Sequence, residues 1–146
     1  MKKGFEQVFK NSLNNILLQW DKKMDRDVAS KLPDNISIND AKIMYHIYNS
    51  DEPINASVLM KLLNVTKGTL SVNIEKLSQK GYLLKESDTS DARVSYLVLT
   101  ESGIKIAKLY DENINAIVKR IDSDFNTYEK SLLLISLSKV EDILYE

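Results

Sequence analysis

"INASVLMKLLNVTKGTLSVNIEKLSQKGYLLKESDTSDARVSYLVLTESG" runs from Ile54 to Gly103. In its middle, Leu70, Ile74 and Leu77 recur at three and four residues and mark the inner stripe of a helix over Lys67 to Lys80. Thr66 offers a side-chain oxygen to the first turn, and Gly81 suits the left-handed position that commonly ends a helix. Upstream, Asn55 caps a shorter segment carrying Val58, Leu59, Leu62 and Leu63, and only "NV" separates it from the next helix. Two helices joined so tightly are a helix-turn-helix candidate. Downstream, "YLLKES" and "VSYLVLT" are rich in apolar and β-branched residues and flank the polar "DTSDAR", which predicts a hairpin with an extended tip.

The same logic extends outward. From Phe5 to Val28, apolar residues (Phe5, Phe9, Leu13, Ile16, Leu17, Trp20, Met24, Val28) line one face of a long helix that "KLPDNIS" ends. Ser37 and Asp40 resemble a capping box for a helix over Ile38 to Tyr48, with apolar residues on both sides that predict a sandwiched element. After the hairpin, Thr100 caps a helix with Ala107, Tyr110, Ile114, Ile117 and Ile121 in register, and Asn126 with Glu129 opens a last helix carrying Leu133, Ser136, Val140 and Ile143. The expected fold is mainly α with a small β-hairpin wing: a winged helix-turn-helix with long N- and C-terminal helices. It reads as one domain over 1–146, with a lobe at 36–100 and dimerisation helices at 1–32 and 101–146. Two amphipathic ends on so small a globule would leave too much apolar surface uncovered in a monomer, so a homodimer is expected.

Composition narrows the chemistry. No cysteine excludes disulfides, thiolate metal sites and thiol redox sensing, and a single histidine, His46, leaves little for zinc or imidazole catalysis. His46 reads as an ordinary surface or interface histidine. Neither a Gly-rich phosphate loop nor a carboxylate constellation is present, so neither an enzyme nor a cofactor is expected. No apolar run reaches the roughly 20 residues of a membrane span, and the first residues lack a signal-peptide core, so the chain reads as cytoplasmic. With 20 basic against 21 acidic residues there is no global attraction to nucleic acid, and any DNA binding must be local.

As a set, Leu59, Leu63, Val65, Thr66, Thr69, Leu77, Gly81, Asp88, Asp91, Arg93, Leu97, Leu99, Thr100 and Gly103 resemble the signature of the MarR family of bacterial transcriptional regulators. "ISINDAKIMYHI" resembles that family's entry to its second helix, and "TKGTL" with "KGYL" is similar to its fatty-acid-biosynthesis repressors. The resemblance implies a two-fold dimer, recognition helices in successive major grooves and wings reaching flanking minor grooves. Many relatives carry arginine where Val72 stands, proline where Thr89 stands and a second arginine where Ala92 stands, while Lys85 replaces a frequent arginine. These departures touch base readout and wing affinity rather than the fold.

With Leu70, Ile74 and Leu77 inward, a 100° step per residue puts Gly68, Ser71, Val72 and Glu75 outward, with Thr69 and Lys76 beside them. Gly68 would admit a phosphate close to the backbone, Thr69 and Ser71 would donate to phosphates or base edges, and Val72 would meet thymine methyl groups. Lys67 and Lys76 would attract phosphates. Thr66 and Lys85 border this surface. On the wing, Asp88 and Asp91 are expected to brace the loop and hold the Arg93 guanidinium for a narrow minor groove. Trp20, Met24, Met44 and Tyr48 are the candidates for a small apolar effector's pocket. The leading expectation is a homodimeric regulator, read as a repressor, on an inverted-repeat operator of double-stranded DNA. The alternative is a winged-helix protein-interaction module without DNA binding, suggested by Glu75 and the acidic pI.

Overall fold

A computed structural model describes residues 4–145. Helix α1 (Phe5–Asp27) follows the long apolar repeat and gives way to one 3-10 turn, Ala29–Lys31, before Pro33. Only the end of its stripe is buried. Met24 and Val28 lie in the core, whereas Phe5, Phe9, Leu13, Ile16 and Leu17 are exposed.

Helix α2 (Ile38–Tyr48) starts at the expected capping box: the Ser37 hydroxyl accepts the Asp40 N–H at 3.2 Å, and the Asp40 carboxylate accepts the Ser37 N–H at 2.9 Å. Aspartate here does what glutamate does in the commoner form of the motif. Ala41, Ile43, Met44 and Ile47 are all buried, so α2 is covered on both sides as its pattern predicts.

Helix α3 (Ala56–Leu63) begins where the Asn55 side chain accepts the Val58 N–H at 2.9 Å. It stops at Asn64, whose φ of 50° is left-handed, a conformation asparagine tolerates better than most residues. Two residues later Thr66 caps α4 (Lys67–Gln79), and Leu70, Ile74 and Leu77 bury the inner stripe with Leu59. Gly81, at φ 79°, turns the chain into the hairpin.

Strands β1 (Leu83–Ser87) and β2 (Ser95–Leu99) pair antiparallel, with Leu83 opposite Leu99 and Lys85 opposite Leu97. Leu83 and Leu97 are buried, and the Leu97 N–H also donates to the Ile54 carbonyl at 2.8 Å, tying β2 to the segment before α3.

Helix α5 (Glu101–Asp124) is capped by Thr100, whose hydroxyl accepts the Gly103 N–H at 3.2 Å. Helix α6 (Thr127–Tyr145) opens with reciprocal bonds between Asn126 and Glu129. The chain divides into two compact units between Asp111 and Glu112, inside α5. The division falls beyond residue 100 because Gly103, Ile106, Ala107 and Tyr110 in the first turns of α5 are buried. In the second unit Leu133 and Val140 are half-buried, and Leu134, Ile135 and Ile143 are exposed. The expected helical ends include residues 1–3 and 146, which lie outside the described residues. No helix among the described residues is long and apolar enough to cross a membrane.

Gly103 sits where α5 crosses the base of the hairpin. A Cβ added there would collide with the Tyr82 carbonyl oxygen and press on Leu99. Both neighbours are fixed, the first by its bond from the Thr100 N–H. Gly103→Ala is therefore expected to cost about 1–3 kcal/mol, as overpacking does, and to lower the denaturation midpoint of the first unit at an unchanged slope.

Candidate nucleic-acid interface

The surface opposite the buried stripe of α4 carries Gly68, Ser71, Val72 and Glu75, all exposed, with Val72 at 68%. So large an exposed fraction for a valine on a helix rules out a packing role within the chain. Gly68 is equally unexplained by the fold, since nothing lies within 4 Å of where its Cβ would be. Lys67 is exposed at the first turn. Thr66 and Thr69 serve the helix start: Thr66 Oγ1 accepts the Thr69 N–H at 3.2 Å, and the two hydroxyls bond each other at 2.9 Å.

One charge falls differently from its sequence reading. The Lys76 ammonium does not point outward unpaired; it lies 2.7 Å from Asp40 Oδ2, on α2, and that carboxylate is buried. Burial opposes ionisation of Asp40, but bonds from Lys76 and Ser37 outweigh it and hold the carboxyl below its ordinary value. Lys85 lies on the same face of the hairpin as Leu83 and Leu97, just past the core, and lines a shallow groove with Ser71, Val72, Glu75, Gln79 and the stem of Lys76.

On the wing the two aspartates divide the work. Asp91 accepts the Arg93 backbone N–H at 3.0 Å and grips the guanidinium from Nε at 3.1 Å and from a terminal nitrogen at 3.3 Å. Asp88 takes no part in holding Arg93. It accepts the Ser90 N–H and hydroxyl, both at 2.7 Å, and the Tyr96 hydroxyl at 2.9 Å. The Arg93 side chain remains 91% exposed, presented rather than buried.

The four effector candidates do not converge. Trp20 and Met24 line a cleft of about 280 Å³ with Asp21, Asp25, Ile38, Asn39, Lys42 and Tyr110. Met44 is wholly buried core, and Tyr48 lines a separate depression with Ile54 and Leu97 because it faces the opposite end of α2. His46 is half-buried, and burial together with Lys42 lowers its pKa, favouring the neutral ring.

The winged helix DNA-binding domain family matches residues 37–103. The HTH-type transcriptional regulator SarZ of Staphylococcus haemolyticus is 33% identical over 93 residues, which are 62% of this chain and 60% of that protein. The chain thus spans about three fifths of the curated relative it matches. The structure of Streptococcus pneumoniae FabT in complex with DNA superposes with a TM-score of 0.75 at 25% identity, over 96% of this chain and 94% of that one. A MarR/EmrR family transcriptional regulator from Acinetobacter sp. ADP1 shares the fold, with a TM-score of 0.67 at 19% identity over 94% and 96% of the two chains. Residues 37–103 are thus a winged helix DNA-binding domain, and the chain is similar to MarR-family winged helix transcriptional regulators. That family regulates transcription and is not one of enzymes.

Two features of this chain escape sequence reasoning. The Lys76–Asp40 pair joins residues 36 apart, a contact no local pattern reveals. The polar rim of the cleft, Asp21, Asp25, Asn39 and Lys42, lies on the hydrophilic edges of two helices, where such residues ordinarily signify nothing but solvent. In the wing, the Ser90 backbone N–H, then its hydroxyl and the Tyr96 hydroxyl hold the Asp88 carboxyl down to about 2. A depressed carboxyl contributes order above its unfolded value and loses it as pH falls through the folded one. Asp88 should therefore titrate near pH 2 by carboxyl-detected NMR, and Tyr96→Phe should raise that value towards the ordinary one.

Proposed function

We propose that this chain binds double-stranded DNA as a homodimer in the cytoplasm, with α4 in the major groove and the hairpin reaching the adjacent minor groove. The observation that carries it is the outer face of α4. Gly68 and Val72 each cost the free protein something, a helical glycine in backbone entropy and an exposed valine in hydration, and the fold offers no return for either. A partner that approaches the backbone at Gly68 and meets an apolar surface at Val72 supplies it; a phosphate and a thymine methyl fit those two demands. The likeness to FabT, determined in complex with DNA, supports DNA as that partner.

Thr66, Thr69 and Ser71 would orient the helix on phosphates or base edges, and Lys67 and Lys85 would attract the backbone. Arg93, held by Asp91 at the exposed hairpin, would enter a narrow minor groove. The exposed apolar faces of α1 and of the second unit support dimerisation. The operator would then be an inverted repeat with half-sites about one helical turn, ~10 bp, apart. In this reading the protein represses, and a small ligand with an apolar body in the Trp20 and Met24 cleft would release it to the extent that it prefers the non-binding conformation.

Selection of bound duplexes from a random pool, followed by affinity and melting measurements on single variants, tests the proposal. Gly68→Ala should raise helix stability by up to about 0.5–1 kcal/mol while weakening operator binding, a divergence that a purely structural glycine would not give. Arg93→Ala should weaken binding to all sequences, most where an A·T-rich flank narrows the minor groove. Val72→Ala should cost about 1 kcal/mol at a preferred thymine and flatten selection there. The protein-interaction alternative draws on Glu75 in the middle of the same face, and recovery of no enriched duplex would establish it over DNA binding.

A further inference from the structure

Asp40 is the one charged side chain buried among the described residues, at 1% exposure. Its Oδ2 accepts two bonds at once, from the Ser37 N–H at the start of α2 and from the Lys76 ammonium in the last turn of α4. At the C-cap of α4, the Lys80 ammonium donates to the Asn35 carbonyl. The last turn of α4 and its C-cap are thus tied to a six-residue stretch, 35–40, that is itself locked by the capping box.

The buried stripe alone does not define the orientation of α4. Leu70, Ile74 and Leu77 are smooth aliphatic side chains, and aliphatic packing tolerates small rotations and slides at little cost. A charged bond at 2.7 Å does not. Buried ion pairs add little net stability because desolvation consumes most of their attraction, and their best-attested use is to fix register. Rotation of α4 about its axis by one residue's step of about 100° would carry Val72 from the outer face to the edge. Smaller rotations misdirect Ser71, Val72 and Glu75 in proportion.

We propose that Asp40 and Lys76 are positioning residues for DNA reading: from the capping box of α2, the buried Asp40 carboxylate holds the half-exposed Lys76 and so sets the rotation of α4 that aims Ser71, Val72 and Glu75 at base edges. Lys76 then contributes to specificity without touching a phosphate, because its charge is spent on Asp40. The proposal rests on the DNA-binding function proposed above.

The test uses the full chain and three variants: Lys76→Met, which keeps the stem and the capping box; Asp40→Asn; and Asp40→Asn with Lys76→Met, which leaves no lone buried charge and keeps an acceptor for the Ser37 N–H. Each is checked for an intact fold by its melting curve. Affinity is then measured for the selected operator and for an unrelated duplex across a series of salt concentrations. Lys76→Met and the double variant should each lose roughly tenfold of the ratio between operator and unrelated duplex, the scale of one misdirected base contact. Affinity for the unrelated duplex and the salt slope should be unchanged, and the two losses should be equal because the residues act as one unit.

A Lys76→Met variant that weakens both duplexes alike, with a slope reduced by about one per protomer, would mean a phosphate contact and overturn the proposal. So would a double variant that folds and keeps the wild-type ratio. A wild-type chain without sequence preference would instead overturn DNA reading itself, and this role with it, so the two failures are distinguishable. Should Asp40→Asn alone fail to fold, the other two variants decide the matter.

Discussion

The first unit is closed by one threonine. The Thr100 hydroxyl donates to the Gly81 carbonyl at 2.7 Å and accepts the Gly103 N–H, while its backbone N–H donates to the Tyr82 carbonyl at 3.0 Å. One residue therefore joins the end of α4, the base of the hairpin and the start of α5. The left-handed Gly81 and the Cβ-free Gly103 are the conditions for that junction: the first turns the chain sharply after α4, and the second lets α5 pass against Tyr82. Together with the Leu97 bond to the Ile54 carbonyl, that junction holds the hairpin against the helices and so sets the distance between the α4 face and the Arg93 tip. Two contact surfaces on one ligand cooperate only when their separation is fixed in advance.

The elements were legible in the sequence because each is written locally. Capping at Ser37, Asn55, Thr66, Thr100 and Asn126 needs only residues three positions apart, and all five caps form. The inner stripe of α4 is a local period, and so is the alternation of the hairpin. What local patterns do not carry is partnership across the chain. Asp40 satisfies its sequence role as a cap and also takes Lys76, and only the second bond decides what Lys76 is free to do. The Trp20, Met24, Met44 and Tyr48 set failed for the same reason: helical spacing tells which residues share a face of one helix, but not which faces of different helices meet around a void. Asp88 and Asp91 were legible as a pair and not as individuals, since a loop of six polar residues allows several equivalent bonding patterns.

The pairing of Lys76 also changes how a nearly neutral chain can be understood as a DNA-binding protein. On the outer α4 surface and its rim, Lys67 and Lys85 are cations with no carboxylate partner among the described residues, whereas Arg93 is held by Asp91 and Glu75 accepts from Gln79. Few cations mean few counterions released, so the electrostatic component that makes most DNA binding unselective and steeply salt-dependent is small here. Affinity must then come from contacts that depend on sequence or shape. Glu75 makes the argument sharper. A carboxylate in the centre of a reading face is repelled by phosphates but accepts from the exocyclic amine of cytosine, so it costs affinity for wrong registers more than for right ones. Such a surface would gain discrimination at the expense of strength, and a pair such as Lys76 with the buried Asp40, if it sets the rotation of the helix as proposed, is the kind of support it would require. In the proposed binding mode, low charge and an acidic residue on the α4 face would leave little non-specific attraction to spare, so the few directed contacts would have to be well aimed.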